Sequence, residues 1–517
     1  MSPPLFLGVD IGSTQMKCAL FDVEGRQVAL RRSDYPILHE EPLAGEHSAK
    51  NWLLTFKGLT RGIVRSVGKR ADDIAAVSVD CLCPSLIPVN RTGQPLTNSI
   101  FFMDRRSVSE AKWMEAEIGN QEFFSIAGNR IAHSAFSAAI MLWIRNTRPR
   151  VFEKTYKFLH GNGFIEQYLT NEFTMDWTNA SFTLLFETKS GRRWSTRLCE
   201  KVGLPIDKLP NLKAPWEVVG EVTARASRET GLAMGTPVIA GGADTACAAL
   251  GVGAINDGDA MEDGGTATKL AVSMDKTTFP TGTLNRCHVI PDRWLLVAAS
   301  STTGASLRWL KNTLGIDTKR KGDDVYKMMD KEAEKSPPGA NGLIVLPYLA
   351  PGGERSPIWD PYAHGVIFGL NLSHQRRDLI RAFLEASAYA LAHNIEMIER
   401  DGIRVGDIRV SGGQARSKLW RDIKANVTGK HVQLTSHVEA TVFGTCILAG
   451  YGSGHYTNLT NAVRDLVRVR ETSRPNPAHT QVYADNFAAY KAIYAQLKQE
   501  FQDLYSQQPK GSTITEA

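Results

Sequence analysis

Several familiar signatures are missing from these 517 residues. There is no Gly-x-x-x-x-Gly-Lys-[Ser/Thr] loop, no His-Glu-x-x-His helix and no Gly-x-Ser-x-Gly elbow, which excludes P-loop NTPases, zincins and α/β-hydrolases by motif. Cysteine is scarce: seven, an odd number scattered through a long chain, make no disulfide framework. Cys81-Leu82-Cys83 has no second pair at zinc spacing and reads as two small core residues. Long apolar runs are also absent. The first, residues 5–9, stops at Asp10, and no basic segment precedes it, so neither a signal peptide nor a membrane span is expected and a reduced cytoplasm is the expected location. Charge of one sign is never massed. A net charge of +6, with basic pairs such as Arg31-Arg32, Arg105-Arg106 and Arg376-Arg377 rather than stripes, suits an anionic substrate or cofactor and leaves no footprint for nucleic acid.

What is present is an ordinary globular composition, 43% hydrophobic and 22% charged, on a chain too long for one core. Short apolar runs alternate with amphipathic stretches, the α/β pattern. Buried strands are expected at 74–79 and 86–89, and helices around 107–118, 137–146 and 161–169. A second series begins near Val238, with strands around 268–273, 294–299 and 343–346. Residues 336–361 form a long Pro- and Gly-rich loop of the length that often carries function. A long helix is expected from 378, with Leu379, Phe383, Ala386 and Ala390 on one stripe. A last helix carries Tyr483, Phe487, Tyr490, Tyr494, Leu497 and Phe501 at spacings of four and three. That stripe suits docking on the second domain, or a homodimer contact. The tail, 506–517, is expected to be flexible.

One short motif appears twice. Asp10-Ile11-Gly12-Ser13 and Asp263-Gly264-Gly265-Thr266 each sit between apolar runs and read as hairpins with an acid, a glycine and a hydroxyl at the turn. That chemistry suits a polyphosphate: glycine admits backbone N–H groups, the hydroxyl donates, and the carboxylate can hold hydrated Mg²⁺. Two copies suggest two related domains serving one nucleotide. A second feature is Asp244, after the strand 238–240 and the pair Gly241-Gly242. A carboxylate at a helix N-terminus is held charged and able to accept a proton, although an Asp in that place is commonly a plain N-cap. The small residues from 246 to 253 let a ligand approach. Ser411-Gly412-Gly413-Gln414, ahead of a helix, offers a flat backbone against which adenosine can lie, or a simple connector. Phe102-Met103-Asp104-Arg105-Arg106 places acid and base together, for hydroxyls in a cleft or for a surface ion pair. Asn179 suits a ligand hydroxyl or a turn.

Taken in order, these segments resemble the FGGY family of carbohydrate kinases over roughly residues 5 to 470. The first phosphate motif resembles Gly8 to Thr14 with Lys17, and the second Gly265-Thr266. The sugar-side Trp-x-Asp-x-Arg is similar to residues 102–106, with Phe102 for Trp, and the catalytic Gly-Gly-x-Asp matches Gly241 to Asp244. The family's Asp-x-x-x-Ala-Ser segment looks like Asp176 to Ser181, one family signature resembles residues 365–370, and the adenosine segment matches Ser411 to Gln414 with Ser417. The resemblance implies two ribonuclease-H-like, actin-like ATPase domains with a deep interdomain cleft, at 1–253 and 254–505. It implies ATP and Mg²⁺ as cofactors and a small sugar as acceptor. Asp244 would be the base; Asp10 would hold Mg²⁺ through water; Gly12, Ser13, Thr14, Lys17, Gly265 and Thr266 would serve the phosphates; and Gly412, Gly413, Gln414 and Ser417 the adenosine. Asp80, Cys81, Asp104 and Arg106, with Asp244, would contact the sugar. Residues 347–357 look most like the xylulokinase branch and point to a ketopentose such as xylulose. Asp80-Cys81-Leu82-Cys83-Pro84 departs from that branch's Gln-Met-His-Gly and looks more like the ribulokinase type. Ile140 stands where another family signature commonly carries a lysine. Ribulose or a short polyol is therefore a second expectation, and a sugar or nucleotide sensor on the same scaffold a third.

Overall fold

A computed structural model describes residues 3–41, 43–131, 136–317 and 324–507. Most of the expected flexible tail, from 508 on, lies outside the described residues. The chain divides into two compact units that interleave along the sequence. The first is drawn from Met1–Asp257, Ser273–Leu296 and Glu439–Arg468, and the second from Gly258–Val272, Val297–Val438 and Val469–Ala517. A boundary at 253/254 separates most of these two sets of residues. It does not account for residues 254–257, 273–296 and 439–468, which pack in the first unit.

The first unit is built on a six-stranded sheet of β1 (Leu5–Ile11), β2 (Gln15–Asp22), β3 (Gln27–Asp34), β4 (Ile74–Cys81), β5 (Val218–Glu221) and β6 (Pro237–Ala243), in the order β5-β6-β4-β1-β2-β3. β1 and β2 pair antiparallel, as the Gly12 turn requires, while β4 and β6 join parallel. The parallel strands are almost wholly buried and apolar, as expected for a sheet covered on both faces. On one face lies the helix Ala49–Val67, whose Trp52, Phe56 and Ile63 are buried in the core with Leu7, Val9 and Val77. Against the sheet packs the helix Ala440–Gly452, and beside it Asp244–Val252. These two helices touch at backbone distance. A Cβ on Gly251 would come within 1.9 Å of the Ala440 carbonyl oxygen, and one on Gly444 within 1.9 Å of that of Cys247. The small-residue run after Asp244 therefore serves a helix crossing.

The second unit repeats the plan. Its sheet contains β7 (Ala260–Gly264), β8 (Thr268–Met274), β9 (Trp294–Ser300), β10 (Ile408–Ser411), β11 (Val432–Thr435) and β12 (Val469–Ser473), ordered β9-β8-β7-β10-β11-β12. β8 through Val272 and β9 from Val297 belong to this unit. Again an antiparallel hairpin, β7–β8, is followed by two parallel neighbours and an antiparallel edge. The helix Arg376–Arg400 opens with a reciprocal capping box between Gln375 and Asp378. The last helix, Thr480–Gln507, buries Tyr483, Tyr490, Ile493, Tyr494 and Phe501 in a cluster with Ile344, Leu346, Tyr348 and Tyr389. Its aromatic stripe is thus occupied within the second unit.

Candidate active site

Three carboxylates meet at the carboxyl ends of adjacent strands of the first unit. Asp10 is the penultimate residue of β1, Asp80 lies directly across from it on β4, and Asp244 follows β6, where Gly242 pairs with Asp80. The register of β6 slips between Ile239 and Gly242. Gly241 carries the slip with φ +62°, and a Cβ there would strike the Val79 carbonyl oxygen at 1.9 Å. This glycine bulge therefore sets the direction in which Asp244 leaves the sheet. Asp244 is the first residue of its helix; the N-cap is Ala243. The plain N-cap reading is thus not what is found, although its Oδ1 accepts from the Thr245 N–H at 2.6 Å and hydroxyl at 3.0 Å.

Burial pushes the Asp10 carboxyl above the usual range, Lys17 opposes the rise, and Asp244 adds to it. Asp80 is pushed up further, by burial first and then by Asp10, with Asp244 acting the same way. Lys17, opposite Asp10 on β2, reaches it at 3.3 Å and Glu439 at 3.0 Å; the two acids hold its ammonium above the usual lysine range despite burial. Asp80 and Cys81, expected to contact substrate, have no exposed surface at all. Asp80 accepts from Thr445 of the helix Ala440–Gly452, and the Cys81 thiol donates to Asn162 Oδ1 at 3.3 Å. Burial pushes that thiol well up, which keeps it inert. The Gly12 turn closes through its N–H to the Gln15 carbonyl at 3.0 Å. Among the described residues no side-chain hydrogen bond engages Ser13 or Thr14, which leaves two hydroxyls at the turn.

Asp104 and Arg106 are no surface pair, since their side chains are 2% and 7% exposed. Asp104 accepts from the Gly45 N–H at 2.9 Å and from Arg106 Nε at 3.0 Å. Arg106 also binds Glu46 and Glu41 and lies 4.4 Å above the Trp143 ring. Asn179 joins a buried network: its Nδ2 donates to Asp176 at 2.7 Å, and its Oδ1 meets His160 at 3.1 Å.

In the second unit the turn Gly264-Gly265-Thr266 mirrors Gly12-Ser13-Thr14. Asp263 faces Lys269 across its hairpin at 3.8 Å, as Asp10 faces Lys17. Asp263 also accepts from the Ser411 hydroxyl at 3.0 Å, tying the hairpin to the start of the Gly412-Gly413 turn. Gln414, expected at the adenosine, is buried and committed to the turn. Its Nε2 donates to the Gly265 carbonyl at 3.1 Å and to the Thr268 and Thr303 hydroxyls, and its Oε1 accepts from Lys424 at 3.0 Å. Lys424 forms a buried pair with Glu262 at 2.6 Å. Ser417 is the N-cap of the helix Lys418–Thr428, accepting from the Trp420 N–H at 3.0 Å. Gly413 faces open space. Sequence reasoning missed Glu439, Thr445, Glu262, Lys424 and Arg308, whose Nη2 donates to the Thr266 hydroxyl at 2.8 Å. No local pattern announces them, because each meets its partner only through the fold.

Comparison with known proteins follows this geometry. Residues 5–251 match the profile of the FGGY family of carbohydrate kinases, N-terminal domain, and residues 264–453 its C-terminal domain. The chain belongs to the FGGY family of carbohydrate kinases. This FGGY chain is 28% identical to a xylulose kinase of Staphylococcus epidermidis over 98% of its own length and 99% of the relative's. It is equally 28% identical to a gluconokinase of Bacillus subtilis, over 97% of each. The crystal structure of a xylulose kinase from Rhodospirillum rubrum superimposes with a TM-score of 0.88 at 27% identity, over 96% of this chain and 100% of that one. The FGGY chain is thus a carbohydrate kinase with the ribonuclease-H-like, actin-like ATPase fold in each half. Among the described residues no group of three or more His, Cys, Asp or Glu side chains is arranged to hold a metal directly. No described helix is long and apolar enough to cross a membrane.

Proposed function

We propose that this kinase transfers the terminal phosphoryl group of ATP to a hydroxyl of a small sugar or polyol, with Asp244 taking the hydroxyl proton. The observation that carries this reading is the convergence of Asp10, Asp80 and Asp244 at three adjacent strand ends. Asp244 accepts a proton at its carboxylate as the oxygen attacks; the phosphoryl group passes in line, and the chain's task is to position and to stabilise charge. Ser13, Thr14, Lys17, Gly265 and Thr266 offer the donors for phosphates, with Arg308 beside Thr266. The backbone at Gly412-Gly413 receives adenosine, while Gln414 and Ser417 shape that surface instead of touching it. Asp80 and Cys81 act from behind the site, Asp80 by setting Asp10, and Asp104 and Arg106 brace its wall.

Asp10 fits a cation site, because beyond its burial the nearby Asp244 pushes its carboxyl above the usual range, a repulsion that a hydrated cation would relieve. Asp10 would hold Mg²⁺ through water, and the ion, when bound, supplies neutralising charge to the phosphates. A ketopentose such as xylulose is the first acceptor to test, on the likeness to xylulose kinases, with ribulose and short polyols beside it. Acceptor-dependent ADP release over a panel of ketoses and polyols is the test. Stimulation by at least one is expected; binding of acceptors with no ADP release from any would overturn the reading.

A further inference from the structure

Arg286 lies on the short strand Leu284–Cys287 of the first unit and is 3% exposed. Among the described residues its Nε and Nη1 meet no hydrogen-bond partner, and no carboxylate lies within ion-pair distance. What faces the guanidinium is the Phe182 ring, 4.0 Å from its carbon to the centroid. A guanidinium does not give up its proton in a protein, so this charge stays buried. Burying one without a counter-charge is costly, and a cation–π contact recovers only part of that cost.

The polar neighbours do not supply the missing charge. Burial pushes His160 down to about 4, against its bond to Asn179, and Arg286 adds to the fall. The neutral ring is used up by Ser137 at 2.9 Å and Asn179 at 3.1 Å. The position of Arg286 is equally specific. Cys287 N–H donates to the Ser181 hydroxyl at 3.1 Å. Ser181 and Phe182 continue directly from residues 176–180, whose Thr178 hydroxyl accepts the Ala243 N–H at 2.7 Å. One braced segment therefore links the strand bearing Arg286 to the residue before Asp244.

We propose that Arg286 is the charge-recognising residue of the acceptor site, and that the acceptor is a sugar acid whose carboxylate docks on this guanidinium. This rests on the kinase reading above and narrows its acceptor from a neutral ketopentose to an anionic polyhydroxy compound. A carboxylate is the planar, fixed-charge partner that suits a guanidinium, and among the described residues none pairs with this one.

The test compares acceptors matched in length and differing in charge: D-gluconate against D-glucitol, and D-xylonate against xylitol. Acceptor-dependent ADP release and calorimetric binding are measured on the full chain with Mg²⁺ and ATP, for wild type, Arg286→Gln and Arg286→Lys. In wild type the acid should exceed its neutral partner by about tenfold or more in kcat/KM or in affinity. Arg286→Gln should bring that ratio close to one, and Arg286→Lys should keep much of it. A wild-type ratio at or below one overturns the inference, even if Arg286→Gln does not fold. So does an unchanged ratio in a folded Arg286→Gln. Turnover of the neutral partners alone removes this inference and leaves the kinase; failure of all four acceptors also removes this inference, while the kinase reading falls only if the ketose and polyol panel fails as well.

Discussion

At the residue scale, the proposed chemistry depends on Asp244 and on the glycine bulge that aims it. Asp244→Asn keeps the shape and the Thr245 contacts but removes the proton acceptor. Turnover should fall by about 10²–10⁴-fold with ATP affinity nearly unchanged, measured by ADP release and by calorimetry. Turnover that survives would mean that the base is a different residue. Gln414 makes a different case. Gln414→Ala deletes bonds to Gly265, Thr268, Thr303 and Lys424, and leaves the buried Lys424–Glu262 pair half satisfied. A loss of about 1–3 kcal/mol in stability is expected from denaturant titration. KM for ATP should rise more than kcat falls, because the turn that Gln414 holds would serve the donor. An unchanged KM would make Gln414 a purely structural residue.

At the scale of elements, much was readable because it is local. The twin hairpins, the strand into Gly241-Gly242 and the helix after Asp244 all announce themselves within about ten residues of chain. The unread part is where partners lie far apart: Thr445 bonds Asp80 across 365 residues, and Gln414 bonds Gly265 across 149. No periodicity in either segment encodes such a meeting. For the same reason Asp104-Arg106 allowed a surface pair from sequence alone, since its cover by Glu46 and Trp143 is a tertiary fact.

The loop containing Glu354 yields a pH prediction at this scale. Burial pushes this carboxyl from 4.5 up to about 7, against the Ser301 N–H and Arg355. An acid with a raised folded-state value is harmless below about pH 4.5, where both states are protonated. Between 4.5 and 7 the unfolded chain ionises first, so stability drains as pH rises, by about 3 kcal/mol in all. Glu354→Gln can still accept the Ser301 N–H, yet it cannot ionise. Its stability advantage over wild type should grow across that window in pH-dependent denaturation; parallel curves would disprove the shift.

At the scale of the whole molecule, the two units are alike in plan and unlike in construction. Each is a hairpin, two parallel neighbours and an antiparallel edge, but the first takes one of its packing helices from residues 440–452. A fragment ending at Asp257 should therefore lack a stable fold. It would leave bare the backbone groove at Gly251, the Asp80 carboxyl that Thr445 satisfies, and the sheet face beside Gly8. Circular dichroism melting of such a fragment should show no cooperative transition, whereas a sharp one would mean that the late helix is dispensable.

The same helix has a consequence for how the protein is made. During synthesis the amino-terminal strands leave the ribosome first, yet the segment that seals them is translated some two hundred residues after Asp244. Until then a half-covered apolar sheet must wait in the presence of a growing second unit, a long-range dependence that slows folding and exposes the nascent chain to misassembly.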